Sequence, residues 1–238
     1  MRESNKLTKI LERPGPNLAA SFSDRIGAQE ISDIQKKGLD IAEIRIDLYQ
    51  DFKPEMADDF RDIANIATIR AKNEGGNWSG SEQERLKLFK DIMPKIDAVD
   101  IESSATGIID EVIAEAKKHD VLAMVSYHNF KDTPDISELE NIISAATAKG
   151  ADIIKIATQV NSQADIEKLA ALLQGSDKKL VVIGMGDMGS ITRVTFPRYG
   201  SLLTFCQLNK QTAPGQMSLE KMVAELSRCY QEYGKRSE

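Results

Sequence analysis

Short apolar runs alternate with longer amphipathic runs along most of the chain. The short runs are rich in β-branched residues, as buried strands are, and the longer runs repeat apolar positions at helical spacing. We predict eight strands, over residues 17–23, 41–48, 66–71, 98–102, 121–128, 152–158, 180–184 and 201–208. Helices are predicted between them, over residues 27–37, 54–63, 81–93, 107–118, 136–149, 162–173 and 218–230, with a short helix near residues 188–192.

This alternation predicts an α/β fold in which the strands are parallel. Parallel strands are joined by right-handed helical crossovers, and eight such units in one domain indicate a (β/α)8 TIM barrel. An open doubly wound sheet is the alternative. Because no linker rich in Pro, Gly or Ser divides the chain, we predict a single domain. The barrel catalytic domain is expected over residues 17–238, preceded by a decorating N-terminal segment over residues 1–16.

Composition and charge exclude several classes of partner. The 238 residues are 41% hydrophobic and 29% charged, which is ordinary for a soluble globular protein. A net charge of -6 argues against a nucleic-acid partner, since phosphates require a basic surface. Cys206 and Cys229 match neither a disulfide framework nor a metal motif, which favours a reducing, cytoplasmic setting. No stretch has the length of a membrane span, and the polar N-terminus does not resemble a signal peptide.

Lys155 is a lone charge in the apolar strand predicted at residues 152–158. Removing a lysine from water costs several kcal/mol unless it is paired or loses its proton, so burial favours a neutral, nucleophilic amine. A Schiff-base lysine needs this property. The alternatives are a lysine that extends from a strand edge to water and one held in a structural ion pair.

Charged residues also alternate along the second predicted strand. Glu43, Arg45 and Asp47 are two residues apart, so they share one strand face while Ile44 and Ile46 take the other. The C-terminal ends of barrel strands and the loops after them form the active sites of such folds. We therefore favour substrate recognition for this polar face. A stabilising layer of ion pairs inside the barrel is the alternative.

Two further candidates close predicted strands on the same rim. Arg70 ends the third strand, and the glycine-containing loop after it carries Glu74 and Trp78. A guanidinium in this place is suited to an oxygen-rich ligand. His128 ends the strand immediately before the one that carries Lys155, which makes it a candidate proton carrier. A single histidine can equally be structural.

Residues 184–189 match the G-x-G-x-x-G pattern of dinucleotide-binding folds, but we reject that interpretation. The motif follows the seventh strand instead of opening a nucleotide-binding half, and the acidic residue expected about twenty positions later is absent. The glycines are better explained as a turn. This turn brings Arg193 towards the rim, where it could hold a carboxylate bidentately, unless it is a surface arginine.

Five motifs together resemble the type I 3-dehydroquinate dehydratases over roughly residues 17–220. They are Glu43-Ile44-Arg45-Ile46-Asp47, Ser126-Tyr127-His128-Asn129-Phe130 with Thr133-Pro134, Ile154-Lys155-Ile156-Ala157, Ile191-Thr192-Arg193 and Ala213-Pro214-Gly215-Gln216. Each motif is weak, but the ordered set is specific. The sequence departs from the family pattern at Thr212, where serine is common, and at Ile44, where an aromatic residue is common.

The resemblance implies that Lys155 forms an imine with the ketone of 3-dehydroquinate and that His128 removes the neighbouring proton and then helps water leave. It also implies that Glu74 orients His128 and that Arg193 holds the substrate carboxylate. The substrate-binding residues implied by the same resemblance are Ser21, Glu43, Arg45, Arg70, Met185, Arg193, Phe205, Thr212 and Gln216. Neither a metal nor an organic cofactor is expected, because the lysine supplies the electrophile.

The same family implies a homodimer and a shikimate-pathway step, although quinate breakdown uses the same dehydration. The polar segment 209–216 could act as a closing loop. Two other functions stay open. A class I aldolase or transaldolase also uses a Schiff-base lysine on a barrel, and a non-catalytic barrel could bind and sense a polyol acid.

Overall fold

The computed structural model describes residues 5–208 and 213–235. Eight parallel strands follow one another around a barrel in the order β7-β6-β5-β4-β3-β2-β1-β8. They are β1 Leu18–Phe22, β2 Ile41–Arg45, β3 Ala64–Thr68, β4 Ala98–Glu102, β5 Leu122–Asn129, β6 Ile153–Gln159, β7 Leu180–Met185 and β8 Thr204–Cys206. At the seam between β7 and β8, the amide of Leu202 donates to the carbonyl of Leu180 at 2.9 Å. The prediction of a barrel is therefore confirmed, and the alternative of an open doubly wound sheet is wrong.

Helices lie in most of the crossovers and form the outer layer, and further helices precede the first strand and follow the last. They are α1 Lys6–Leu11, α2 Ala28–Lys36, α3 Glu82–Ile92, α4 Ile109–Lys118, α5 Ile136–Lys149, α6 Gln163–Gln174, α7 Gly186–Gly189, α8 Thr192–Thr195, α9 Leu219–Cys229 and α10 Gln231–Gly234. The predicted limits of α5 agree fully, because Gly150 in the left-handed region ends that helix. Among the described residues, none of the helices has both the length and the apolar character to cross a membrane.

Some predicted elements are wrong in detail. The second strand ends at Arg45, because Ile46–Leu48 turn into a 3-10 helix, so Asp47 lies beyond the strand face on which we placed it. The third strand ends at Thr68, and Arg70 follows it. The predicted helix at residues 54–63 is a 3-10 helix over Pro54–Phe60.

The barrel interior has an apolar lower layer and a polar upper layer. Because strand side chains alternate, β4 turns Ala98, Asp100 and Glu102 inwards and packs Val99 and Ile101 against the helices. Towards the N-terminal ends of the strands, the interior is filled by apolar side chains. The charged side chains therefore gather at the C-terminal ends.

Helix α1 packs across the N-terminal end of the barrel. Leu7 is fully buried among the lower-layer side chains. Asn5 caps the helix and also donates to the carbonyl of Asp97 at 2.7 Å and to that of Asp120 at 3.0 Å. These contacts fix α1 on the face opposite the polar layer.

Candidate active site

A cavity opens at the C-terminal ends of the strands. Most of the predicted site residues line it: Glu43, Arg45, Arg70, Glu74, His128, Lys155, Met185, Arg193, Phe205 and Gln216. Ser21 is not part of this lining, but its hydroxyl donates to Glu43 Oε2 at 2.5 Å. Thr212 lies outside the described residues. The structure thus brings together side chains that are up to 173 positions apart, from Glu43 to Gln216.

Lys155 lies in the middle of β6 and is 6% exposed. Its Nζ is 3.1 Å from Asp100 Oδ2 on β4 and 3.7 Å from Glu43 Oε1 on β2. The ring of Phe205 lies 4.7 Å from the same nitrogen. The buried lysine is therefore paired with two carboxylates, as in the ion-pair alternative, while it also faces a cavity in which a ligand could reach it.

Asp100 is a fully buried residue that the sequence analysis did not identify. Its Oδ1 accepts from Arg70 Nη2 at 2.7 Å and from Ser126 Oγ at 2.6 Å. Burial would raise the pKa of Asp100, but the nearby charges of Arg70 and Lys155 hold it well below its usual range. A charged residue between Val99 and Ile101 is the same signal that drew attention to Lys155.

His128 and Glu74 form a hydrogen-bonded pair. Glu74 Oε2 is 3.1 Å from His128 Nδ1 and accepts from the His128 amide at 3.2 Å, while Ser104 donates to Glu74 Oε1. Burial raises the pKa of Glu74 to about 6. Burial, with the charges of Arg70 and Lys155, lowers the pKa of His128 well below its usual value. Once ionised, Glu74 accepts the Nδ1 proton of a neutral imidazole and leaves a basic lone pair on Nε2.

The charged residues of β2 and of the 3-10 helix after it divide into two groups. Arg45 donates bidentately to Asp47, with Nε at 3.0 Å from Oδ1 and Nη2 at 2.9 Å from Oδ2. The amide of Asn77 also donates to Asp47 Oδ2, at 3.0 Å. The Arg45–Asp47 pair matches the alternative of a stabilising ion pair inside the barrel, although Arg45 also lines the cavity. Glu43 is held towards Lys155 by Ser21 and by Thr68, whose hydroxyl donates at 3.0 Å.

Arg193 is a buried guanidinium, 2% exposed, that is held by backbone carbonyls. It donates to Gly215 O at 3.0 Å, to Pro214 O at 3.1 Å and to Phe205 O at 3.3 Å. In the described ranges it forms no ion pair with a carboxylate, and burial lowers its pKa to about 10. A buried cation of this kind is suited to an anionic ligand.

The glycine motif forms the turn after β7, as predicted. Gly186 has φ +82°, and a Cβ there would lie 2.2 Å from Gln159. A Cβ on Gly189 would lie 2.5 Å from the backbone of Gly184. Pro214 accepts from the Gly186 amide at 3.3 Å, so the turn supports the segment that Arg193 also holds.

Phe130 is a lining residue to which the sequence analysis assigned no role, although it lies in a quoted motif. Its ring is nearly parallel to that of His128, with centroids 6.4 Å apart, and it is 41% exposed. Gly75 lies against it, and a Cβ on that glycine would be 2.4 Å from the ring. Phe130 therefore forms an apolar edge of the cavity beside the histidine.

His, Cys, Asp and Glu side chains do not gather into a group of three suited to a metal ion anywhere in residues 5–208 or 213–235. The polar groups that face the cavity are instead arranged as ion pairs and hydrogen bonds. The site offers a buried amine, a histidine–carboxylate pair and a buried guanidinium. Such a set can attack a carbonyl, move a proton and bind an anion.

Comparison with known proteins gives a consistent result. The model of the family described as type I 3-dehydroquinase matches residues 23–232. The 3-dehydroquinate dehydratase of Methanocella arvoryzae is 34% identical over 214 residues, which cover 89% of this chain and 95% of that protein. The corresponding protein of Methanothermobacter thermautotrophicus is 38% identical over 224 residues, which cover 91% and 95%. The crystal structure of 3-dehydroquinate dehydratase from Geobacillus kaustophilus superposes with a TM-score of 0.82 at 27% identity, covering 90% of this chain and 91% of that one.

Proposed function

Since the chain belongs to the type I 3-dehydroquinase family, we propose that it removes water from 3-dehydroquinate through an imine on Lys155 and releases 3-dehydroshikimate. The observation that carries this proposal is a buried lysine in the same cavity as a histidine–carboxylate pair. The first supplies an electrophile after condensation, and the second moves the protons. Elimination needs both functions.

Imine formation is the first stage. The Lys155 ammonium gives up one proton, and the neutral amine adds to the ketone carbon. When that proton returns to the oxygen of the adduct, the oxygen leaves as water and a protonated imine remains. This cation is a better electron sink than a ketone, because electrons from a neighbouring carbon neutralise its charge. The buried position of Nζ keeps bulk water from competing for the same carbon.

Proton transfer by His128 is the second stage. Nε2 takes a proton from the carbon next to the imine carbon, and the electron pair forms an enamine. The enamine then expels the hydroxyl group one carbon further on, which leaves as water with the proton that His128 returns. Hydrolysis of the new imine releases the enone and restores Lys155. Glu74 keeps the imidazole in the required tautomer through its contact with Nδ1.

Substrate binding is assigned by charge and position. Arg193 binds the carboxylate, because its guanidinium is buried in the cavity wall with N–H groups left beyond the three backbone contacts. Glu43, Arg45, Arg70 and Gln216 bind ring hydroxyls, and Met185 and Phe205 form the apolar wall. Ser21 acts through its contact with Glu43. Thr212 remains a binding proposal from the sequence.

A turnover assay tests the proposal. Purified protein with 3-dehydroquinate should raise the ultraviolet absorbance of the conjugated enone, and Lys155→Met should lower kcat by at least about 10³-fold. Lys168→Met is the control, since Lys168 pairs with Asp165 on the outer helix α6. Full turnover by the Lys155 variant would refute the imine. Cleavage of a sugar phosphate without dehydration would favour an aldolase instead.

The biological setting is part of the same proposal. The proposed setting is a shikimate-pathway step in the cytoplasm, whose reducing conditions suit the two free cysteines, Cys206 and Cys229. Deletion of the gene in its own organism separates the two roles, because loss of growth without aromatic amino acids indicates biosynthesis and loss of growth on quinate indicates breakdown. The proposed homodimer is tested by light scattering, in which a monomer mass would contradict it.

A further inference from the structure

Asp100 makes the closest ion pair with Lys155 in the described part of the chain, and neither the family motifs nor the proposed roles above include it. We propose that Asp100 is a catalytic residue that serves as the fixed counter-ion of the protonated imine. This inference rests on the proposed imine function and deepens it. Its basis is the way the two oxygens of one carboxylate are divided between different partners.

One oxygen of Asp100 is anchored and the other faces the reacting nitrogen. Oδ1 accepts from Arg70 Nη2 at 2.7 Å and from Ser126 Oγ at 2.6 Å, which fixes the orientation of the carboxylate. Oδ2 is 3.1 Å from Lys155 Nζ. Asp100 and its anchors lie on or just after adjacent strands, so the carboxylate cannot turn away without breaking buried hydrogen bonds.

Glu43 is the other carboxylate near Lys155, and its geometry fits a different role. Its oxygens accept from Ser21 at 2.5 Å and from Thr68 at 3.0 Å, and Oε1 is 3.7 Å from Lys155 Nζ. It also lines the cavity, which places it among the groups that can meet a substrate hydroxyl. Asp100 does not line that cavity. Asp100 therefore contacts Lys155 Nζ from the side away from the cavity, where it can stay in place after the substrate has bound.

The chemistry requires such a group. Condensation turns an ammonium with three N–H groups into an iminium with one N–H, and the positive charge remains on the same nitrogen. In a water-poor site this cation is stabilised by a pre-oriented anion, which does not have to reorganise as the bond forms. Asp100 gains or loses no proton in this scheme. Because Arg70 remains beside it throughout, Asp100 stays ionised when the lysine becomes the neutral amine that attacks.

The charged groups around Lys155 come from several strands. Glu43 faces it from β2, Asp100 from β4 and His128 from β5, and the ring of Phe205 covers it from β8. Arg70 reaches it through Asp100. Removal of Asp100 thus leaves Glu43, at the longer distance, as the remaining carboxylate partner in the described residues. The iminium should then be markedly less favoured.

The test compares Asp100→Asn with the native protein and with a matched control. Asparagine keeps the shape and an acceptor for Arg70 but removes the negative charge. Asp97→Asn is the control, because Asp97 is also buried and pairs with a lysine, Lys6, at 3.1 Å, but at the opposite end of the barrel. Each protein is mixed with 3-dehydroquinate and borohydride for a fixed time, and the reduced adduct on Lys155 is counted by mass spectrometry.

We expect the adduct in Asp100→Asn to fall at least about tenfold and kcat to fall by about 10²-fold, while KM changes less than about threefold. Asp97→Asn should trap adduct at the native level. If folded Asp100→Asn traps adduct and turns over substrate as the native protein does, the counter-ion role is wrong, while the proposed function still stands. A native protein without adduct would overturn the proposed function as well.

A second variant covers the case in which Asp100→Asn does not fold. Asp100→Glu keeps the charge, so it should retain much more adduct than any neutral variant at this position. If circular dichroism shows that Asp100→Glu is folded and it traps no adduct in the presence of substrate, the counter-ion role is wrong. Its retention of adduct, with a lower kcat, supports the role, because only the position of the charge has changed.

Discussion

Arg193→Met is the substitution that separates a binding role from a structural one. The guanidinium is 2% exposed and donates to three carbonyls, and the described residues provide it with no carboxylate partner. Burial lowers its pKa to about 10. At about 1.4 kcal/mol per pKa unit, the folded protein holds this charge at a cost of roughly 3 kcal/mol relative to water.

The sign of this cost leads to an unusual expectation for stability. A base whose pKa is lowered on folding destabilises the fold at neutral pH, where it is charged, so its removal relieves that cost. The lost hydrogen bonds oppose this gain by about 1 kcal/mol or more each. The free energy of unfolding of Arg193→Met should therefore lie within about 2 kcal/mol of the native value.

Substrate binding should change far more than stability does. A bound carboxylate would recover the roughly 3 kcal/mol, which corresponds to about a 100-fold rise in KM when the arginine is removed. Arg193→Lys should recover little of this, because an ammonium cannot bind both carboxylate oxygens in the same fork. Steady-state kinetics and urea unfolding of the same preparations give the two quantities.

Arg85→Met is the matched control, because Arg85 is a buried arginine that has its carboxylates. It pairs with Glu102 and Glu82, so its removal leaves a buried charge poorly compensated and should cost about 3–5 kcal/mol of stability. If Arg193→Met loses as much stability as Arg85→Met and keeps a KM within about threefold of the native value, the carboxylate-binding reasoning is refuted.

Three further outcomes are expected. Because burial raises the pKa of Glu74 to about 6, kcat should fall below that pH, as protonated Glu74 releases His128 Nδ1. Glu74→Gln should lose this limb of the pH profile and about 10²-fold in kcat; an unchanged limb would rule out Glu74 as its origin. Gly215→Ala should raise KM, since φ is +77° and the Cβ would lie 2.4 Å from a backbone oxygen. Gly200→Ala, equally left-handed but without a close neighbour, should not raise it. Leu7→Ala should lower the free energy of unfolding, measured in urea, by about 2–5 kcal/mol and leave KM unchanged. An altered KM would contradict the view that this end of the barrel acts independently of the site.

The fold could be predicted from the sequence because two periodicities are clear in it. Apolar alternation marks inward and outward faces of the strands, and the helical runs between them require parallel pairing. Strand ends were less predictable. Ile46 to Leu48 are as apolar as the strand before them, so the pattern does not reveal the change to a 3-10 helix or the Arg45–Asp47 contact that accompanies it.

Part of the candidate site could be predicted, because some of its residues contrast with the apolar pattern around them. Lys155 and His128 stand out locally, as a charge within an apolar strand and as a histidine at a strand end. Asp100 carries the same signal as Lys155 but is not recognised from the sequence, and its partners Arg70 and Ser126 lie just after one neighbouring strand and on the other. The hydrogen bonds from Arg193 to the carbonyls of Pro214 and Gly215 could not be predicted. They depend on how the loop after β8 packs against the segment after β7. Pairings between distant segments require the structure.

The imine on Lys155 is the central claim, and one measurement tests it most directly. The native protein is incubated with 3-dehydroquinate, reduced with borohydride and analysed by intact and peptide mass spectrometry. We predict one reduced substrate-derived adduct per chain on the peptide that contains Lys155, and none after Lys155→Met. No adduct in folded native protein that turns over 3-dehydroquinate, or an adduct on another lysine, would contradict the account.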